Sequence, residues 1–115
     1  MEKVYICSAF RGDPAENIRK AREYCRYAAT ECGVMPIAPH LLFPQFLDDK
    51  KDAERELGIK MGLELLHDCS ALWYFGDSIT QGMVAEITEA YNCGIPVKYI
   101  SEKEMNIQNN IITEE

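Results

Sequence analysis

The sequence predicts an α/β protein: a parallel sheet with helices on both faces. Three observations predict it. Short continuous apolar runs, such as Val4-Tyr5-Ile6-Cys7 and Ala71-Leu72-Trp73-Tyr74-Phe75, suit strands covered on both faces. Between them lie longer stretches with apolar residues spaced by three and four. The two patterns alternate, strand then helix, from one end to the other, which calls for right-handed crossovers and parallel strands.

The elements follow in order. Lys3 to Ser8 reads as the first strand, and Ala9-Phe10-Arg11-Gly12 as a turn. Asp13-Pro14-Ala15-Glu16 is a helix start, with an Asp cap, Pro at the first position and Glu three after the cap. The helix runs to Cys32, with Ile18, Ala21, Cys25, Ala28, Ala29 and Cys32 as its expected inner stripe, and Gly33 stops it. Val34 to Ala38 is a short second strand that contains a proline. Residues 39–51 form a long loop carrying His40, Phe43 and Phe46, and long loops in compact domains often bind ligands. Asp48-Asp49-Lys50-Lys51 reads as a solvated turn.

Asp52 to Asp68 reads as a second helix with Leu57, Met61, Leu65 and Leu66 inward, and Gly58 and Gly62 beside that stripe. The two glycines suggest close approach by a neighbour. Ala71 to Phe75 is the third strand, and Ser78 with Gln81 can form a capping box for a third helix. At 100° per residue, Val84, Met83, Ile87, Ala90 and Tyr91 share one arc, and Glu86 lies just past its edge, with Glu89 further toward water. Ile95 to Ile100 is a fourth strand. Residues 1–100 are expected to form one domain, and 101–115 a closing helix or a flexible tail.

Bulk properties narrow the function. The chain has 115 residues, a length that suits one domain. A net charge of −7 argues against a nucleic-acid polymer as partner, though not against a single nucleotide. No apolar run reaches membrane-spanning length, and the first residues lead straight into a strand rather than a signal peptide. Five cysteines, odd in number and without CxxC spacing, read as reduced core residues of a cytoplasmic protein. No cofactor and no metal are expected: there is no P-loop, GxGxxG, Ser-His-Asp order or metal-ligand spacing.

Chemistry in such a sheet collects at the loops that follow the strands. Ser8, Arg11 and Gly12 precede a helix N-terminus and suit an anion, although Asp13 opposes one and Arg11 reads equally as a solvated turn residue. Glu86 can serve as nucleophile or base, or be an ordinary glutamate near a helix start. His40 is the candidate proton carrier, with a structural histidine as the plainer alternative. His67 reads as a dipole partner at a helix C-terminus.

Several stretches together resemble a known family. They are Val4-Tyr5-Ile6-Cys7-Ser8-Ala9-Phe10-Arg11-Gly12-Asp13, Ile37-Ala38-Pro39-His40, Phe43-Pro44-Gln45-Phe46-Leu47-Asp48 and Gly82-Met83-Val84-Ala85-Glu86-Ile87. They resemble small bacterial and phage proteins of the DUF4406 type, within the nucleoside 2-deoxyribosyltransferase-like superfamily, which includes deoxynucleoside-monophosphate N-glycosidases. The resemblance implies a flavodoxin/Rossmann-like three-layer sandwich with a parallel sheet of four to five strands. It implies Glu86 as a nucleophile at C1′ and Tyr5 as the residue that orients it. It also implies Ser8, Arg11, Gly12 and Thr80 at a phosphate. His40, Phe43, Asp77 and Gly82, in the loops at the same sheet edge, are the further substrate-site candidates, and Phe43 either stacks on a base or, more plainly, packs its loop down. The family's leaving-group aspartate falls at Gly62, a departure for which Asp77, His40 or Asp48 would have to substitute. The implied partner is a small nucleoside or nucleotide, and the implied assembly a homodimer or higher homo-oligomer. A non-catalytic nucleotide-binding protein and a structural oligomer with a vestigial pocket are the rival readings.

Overall fold

The computed structural model describes residues 1–106. Four strands, β1 (Lys3–Cys7), β2 (Met35–Ile37), β3 (Ala71–Phe75) and β4 (Val97–Ile100), form one parallel sheet in the order β2-β1-β3-β4. Ile6 stands opposite Trp73 in the β1–β3 register, and Leu72 opposite Val97 in the β3–β4 register. β2 lies at an edge and pairs only with β1, where Pro36 leaves no central ladder unfilled. Three helices, α1 (Pro14–Glu31), α2 (Asp52–His67) and α3 (Gln81–Asn92), complete the alternation.

The sheet separates two cores. On one side α1 packs on Val4, Ile6 and Phe75, joined by Ile100 and by Met105 from a helical turn at 102–106. On the other, α2 and α3 cover Tyr5, Cys7 and Leu72 with Leu66, Met83 and Ala90. Of the expected tail, only 101–106 belongs to the described residues; 107–115 lie outside them.

Every helix is rotated somewhat from its expected orientation. In α1, Ala29 faces solvent, and Tyr27 with Tyr24 joins the sheet side instead. The Tyr24 ring stacks on Phe75 with centroids 4.4 Å apart, so aromatic area outweighs the small residues that the apolar count favoured. In α2 the inward row is Gly58, Gly62 and Leu66, whereas Leu57 is 46% exposed. The glycines are therefore the contact line and not its flank. In α3, Met83 and Ala90 are buried while Val84 and Tyr91 are exposed, which brings Glu86 inward. The cap is Thr80, whose hydroxyl accepts from the Met83 N–H at 3.3 Å, in place of the expected Ser78–Gln81 box. No helix among the described residues is long and apolar enough to cross a membrane.

Candidate functional site

A sheet of order 2-1-3-4 reverses its winding between β1 and β3, and ligands of such folds sit outside the strand C-termini at that reversal. Here β1 delivers two side chains to the α2–α3 face. Tyr5 and Cys7 are two residues apart on one strand, so both point the same way, and each is no more than 1% exposed. α3 delivers Glu86 from its second turn to meet them.

The Tyr5 hydroxyl donates to Glu86 Oε2, and the Cys7 thiol lies 3.7 Å from Glu86 Oε1. Burial pushes the Glu86 carboxyl up to about 7, against the two hydrogen bonds, which favour its charged form. The Tyr5 hydroxyl is held well above its ordinary value, by burial first and by the Glu86 charge second. The same two causes push the Cys7 thiol up, so it remains a protonated donor and not a nucleophile.

His40 sits in a short helical turn, Pro39–Leu41, directly after β2. Its Nε2 lies 3.1 Å from the Ser8 carbonyl oxygen. A carbonyl only accepts, so Nε2 carries the proton and Nδ1 is the acceptor in the neutral ring. Burial lowers the His40 value and favours that neutral ring, with the Ser8 carbonyl and Asp49 acting in the opposite direction. The ring stacks on Phe10 at 5.2 Å.

These groups enclose a cavity of about 140 Å³. Tyr5, Phe10, His40, Phe43, Gly62, Gly82 and Glu86 line it, together with the charged Asp49, Glu54 and Arg55. Asp49 was expected in a solvated turn. It is instead only partly exposed, 2.9 Å from Arg11 Nε and 4.0 Å from Arg55 Nε. Phe43 meets Phe46 edge-on at 6.1 Å.

The structure thus brings together five residues from three places in the sequence: Tyr5 from β1, His40 and Phe43 from the loop after β2, and Gly82 and Glu86 from α3. Ser8 stands one step behind: its carbonyl holds His40, and its hydroxyl is buried without a hydrogen-bond partner among the described residues. Arg11 reaches the site only through Asp49. Gly12, at φ +99°, supplies a turn that a side chain would strain, and does not line the cavity. The Thr80 hydroxyl is occupied as the α3 cap. Asp77 is the expectation that departs most: it is exposed and borders an open depression of about 410 Å³ beside α1, away from Glu86. Asp48 is likewise exposed and does not line the cavity.

Sequence reasoning missed Cys7, Phe10, Asp49 and Arg55 as site residues. Cys7 was findable, because it shares a strand face with Tyr5. Arg55 and Asp49 were not, since opposite charges that meet across a loop carry no periodic signal.

With this geometry in place, comparison with known proteins defines the class first. The fold is that of a deoxyribosyltransferase-like α/β protein. A solved 2-deoxyribosyltransferase from Bacillus psychrosaccharolyticus matches with a TM-score of 0.65 and 20% identity, over 86% of this chain and 72% of that one. Residues 2–100 match the family described as "Domain of unknown function (DUF7768)", and the chain belongs to that family. The matching family is therefore DUF7768, where the motifs had suggested the DUF4406 type. No curated protein matches.

Proposed function

We propose that this protein is a nucleoside or nucleotide N-glycosidase, or a deoxyribosyltransferase-like enzyme, with Glu86 as its nucleophile. The observation that carries the reading is the Tyr5–Glu86 hydrogen bond at the wall of the cavity. A carboxylate whose one oxygen is held by a phenol keeps the other free for attack. Oε1, contacted only by the weak Cys7 donor, is that oxygen.

In the first step Glu86 Oε1 attacks C1′ as the bond from C1′ to the base nitrogen breaks. The bonding pair leaves with the base, which takes a proton from solvent, and a glycosyl ester remains on Glu86. Water then attacks C1′ and frees the sugar and the carboxylate, or a second base attacks and forms a new nucleoside. Neutral His40, with Nδ1 as acceptor, suits the removal of a proton from that water. Phe10 and Phe43, both in the cavity wall, offer aromatic surface for a base.

The cavity is smaller than the roughly 300 Å³ at which ligand pockets usually begin. The rest of a nucleoside would extend past it, toward the exposed Ile59 in its wall and the exposed Phe46 that packs on Phe43. A second copy covering that apolar rim would complete the site, which favours a homodimer or higher homo-oligomer. Five free thiols favour the cytoplasm.

One observation favours the second reading, a non-catalytic nucleotide-binding protein. Gly62 offers no acid to the departing base, and a Cβ there would lie 3.3 Å from the Tyr5 hydroxyl. The test is incubation with a panel of nucleosides and nucleoside monophosphates, following free base by chromatography. Release by the wild type, lost in Glu86→Ala with binding retained, supports the enzyme. Binding without release in the wild type supports the second reading, and neither binding nor release rejects both.

A further inference from the structure

The far ends of α2 and α3 hold a second constellation. His67 is the last residue of α2, Glu89 lies in the last turn of α3, and Cys93 caps that helix. Cys93 and Glu89 are four apart, and the Cys93 N–H donates to the Glu89 carbonyl at 3.0 Å, so the two side chains rise from one side of α3. His67 Nε2 meets Glu89 Oε2 at 3.0 Å across the helix pair. One donor atom from each of the three residues lies within 4.8 Å of the others. None of the three lines the cavity.

We propose that His67, Glu89 and Cys93 form a site for a zinc-class divalent cation, with water as the fourth ligand.

The donor set is the first argument. One imidazole, one thiolate and one carboxylate are the ligand types of tetrahedral zinc, whereas magnesium and calcium take oxygen alone. Charge is the second. A thiolate and a carboxylate neutralise a dication, and the C-termini of α2 and α3 both direct their partial negative charge to this end. Geometry is the third. Zinc bonds of about 2.0 Å to nitrogen or oxygen and about 2.3 Å to sulfur place ligand atoms roughly 3.3–3.6 Å apart. The observed spacing, within 4.8 Å, is about an ångström wider at most, and His67 and Cys93 are exposed, with no packed core to hold them apart. A His67–Glu89 ion pair accounts for two of the residues and gives no reason for a thiol beside them. Binding displaces the Cys93 thiol proton to solvent and needs no other reactant, so affinity rises with pH.

The test uses the full chain, stripped with a chelator and titrated with zinc in competition with a chromophoric chelator. The expected result is one zinc per chain, with affinity weakened about tenfold or more in each of His67→Ala, Glu89→Gln and Cys93→Ser. Cys25→Ser and Cys32→Ser, on α1 and at its C-cap and packed on the opposite face of the sheet, should bind as the wild type does. Cobalt in place of zinc should give a thiolate-to-metal charge-transfer band that Cys93→Ser removes. Wild-type binding no tighter than that of the three variants overturns the proposal. So does a charge-transfer band that survives Cys93→Ser, because another thiol would then hold the metal. All three positions are exposed or partly so, and thermal melts of the metal-free variants confirm that each is folded.

Discussion

The two faces of β1 are equally buried and put to different uses. Val4 and Ile6 point at α1, while Tyr5 and Cys7 point at α2 and α3, and all four are at most 1% exposed. Toward α1 the strand meets hydrocarbon and aromatic rings, which demand only shape and area. Toward α3 it meets a carboxylate, and each of its two side chains there supplies a donor to one Glu86 oxygen. One face therefore stabilises the fold, and the other holds a partly desolvated acid at some cost in stability. A site built this way takes its rigidity from the opposite side of the same strand.

The largest expected effect comes from removing the acid. Glu86→Gln should lower base release by at least about a thousandfold, since the nucleophile is gone. It should also alter stability, in a pH-dependent way. The folded Glu86 value of about 7 lies above the ordinary 4.5, so folding takes up a proton between those values. The stability linked to this group is complete below about 4.5 and is lost as pH rises through about 7, a change on the order of 3 kcal/mol. Glu86→Gln carries no such loss. Denaturant titrations should find it more stable than the wild type at pH 8 and no more stable at pH 5. Equal wild-type stability at both pH values would mean that Glu86 is not desolvated.

The opposite face should give the converse. Ile6→Ala leaves a hole beside α1 and should cost about 2–5 kcal/mol, read by denaturant titration. Base release per folded molecule should stay near the wild-type value, provided the assay temperature lies well below the melting point. Tyr5→Phe, one residue away, should reverse that balance. It removes a hydrogen bond to a charged group and should slow release about ten- to a hundredfold. Its midpoint on the pH–rate profile should move upward from about 7, because the lost bond favoured the ionised carboxylate. Similar phenotypes for Ile6→Ala and Tyr5→Phe would show that the two faces are not separable.

The division into faces was only partly legible in the sequence. The parallel sheet could be read, because doubly covered strands are continuous apolar runs and their alternation with helices leaves few topologies. Helix rotation could not be read as well. Counting apolar residues gave Ala29 to the α1 stripe and left out Tyr24 and Tyr27, because a tyrosine buries its ring while its hydroxyl counts as polar. The same blindness put Glu86 at the edge of its arc, although α3 turns it toward Tyr5. Asp77 was placed at the site as a loop residue that could replace the family's leaving-group acid, yet after the turn at Gly76, with φ +107°, it borders the depression on the α1 side. Spacing rules could not find the group at His67, since twenty-two residues separate it from Glu89 and only the packing of α2 on α3 joins them. Local periodicity records what a helix buries on average, whereas a site depends on which few polar groups are buried with it.

Gly62 is where the smallest effect should still be diagnostic. It lies on the inward row of α2, and a Cβ there would stand 3.3 Å from the Tyr5 hydroxyl and 3.8 Å from Pro39. Alanine in place of a helical glycine ordinarily gains about 1 kcal/mol. At Gly58, one turn earlier, the new methyl would meet only Leu47 Cδ1 at 3.6 Å, an ordinary contact. Gly58→Ala should therefore show most of that gain. Gly62→Ala should not, because its methyl displaces the phenol that holds Glu86. The Tyr5 side chain is almost wholly buried and its hydroxyl is the atom the methyl would meet, so the shift falls on the hydrogen bond to Glu86. Base release should drop severalfold, with the pH midpoint moving upward as in Tyr5→Phe but by less. If instead Gly62→Ala matches Gly58→Ala in both stability and release, the close approach of α2 to Tyr5 does not explain why this helix carries a glycine there.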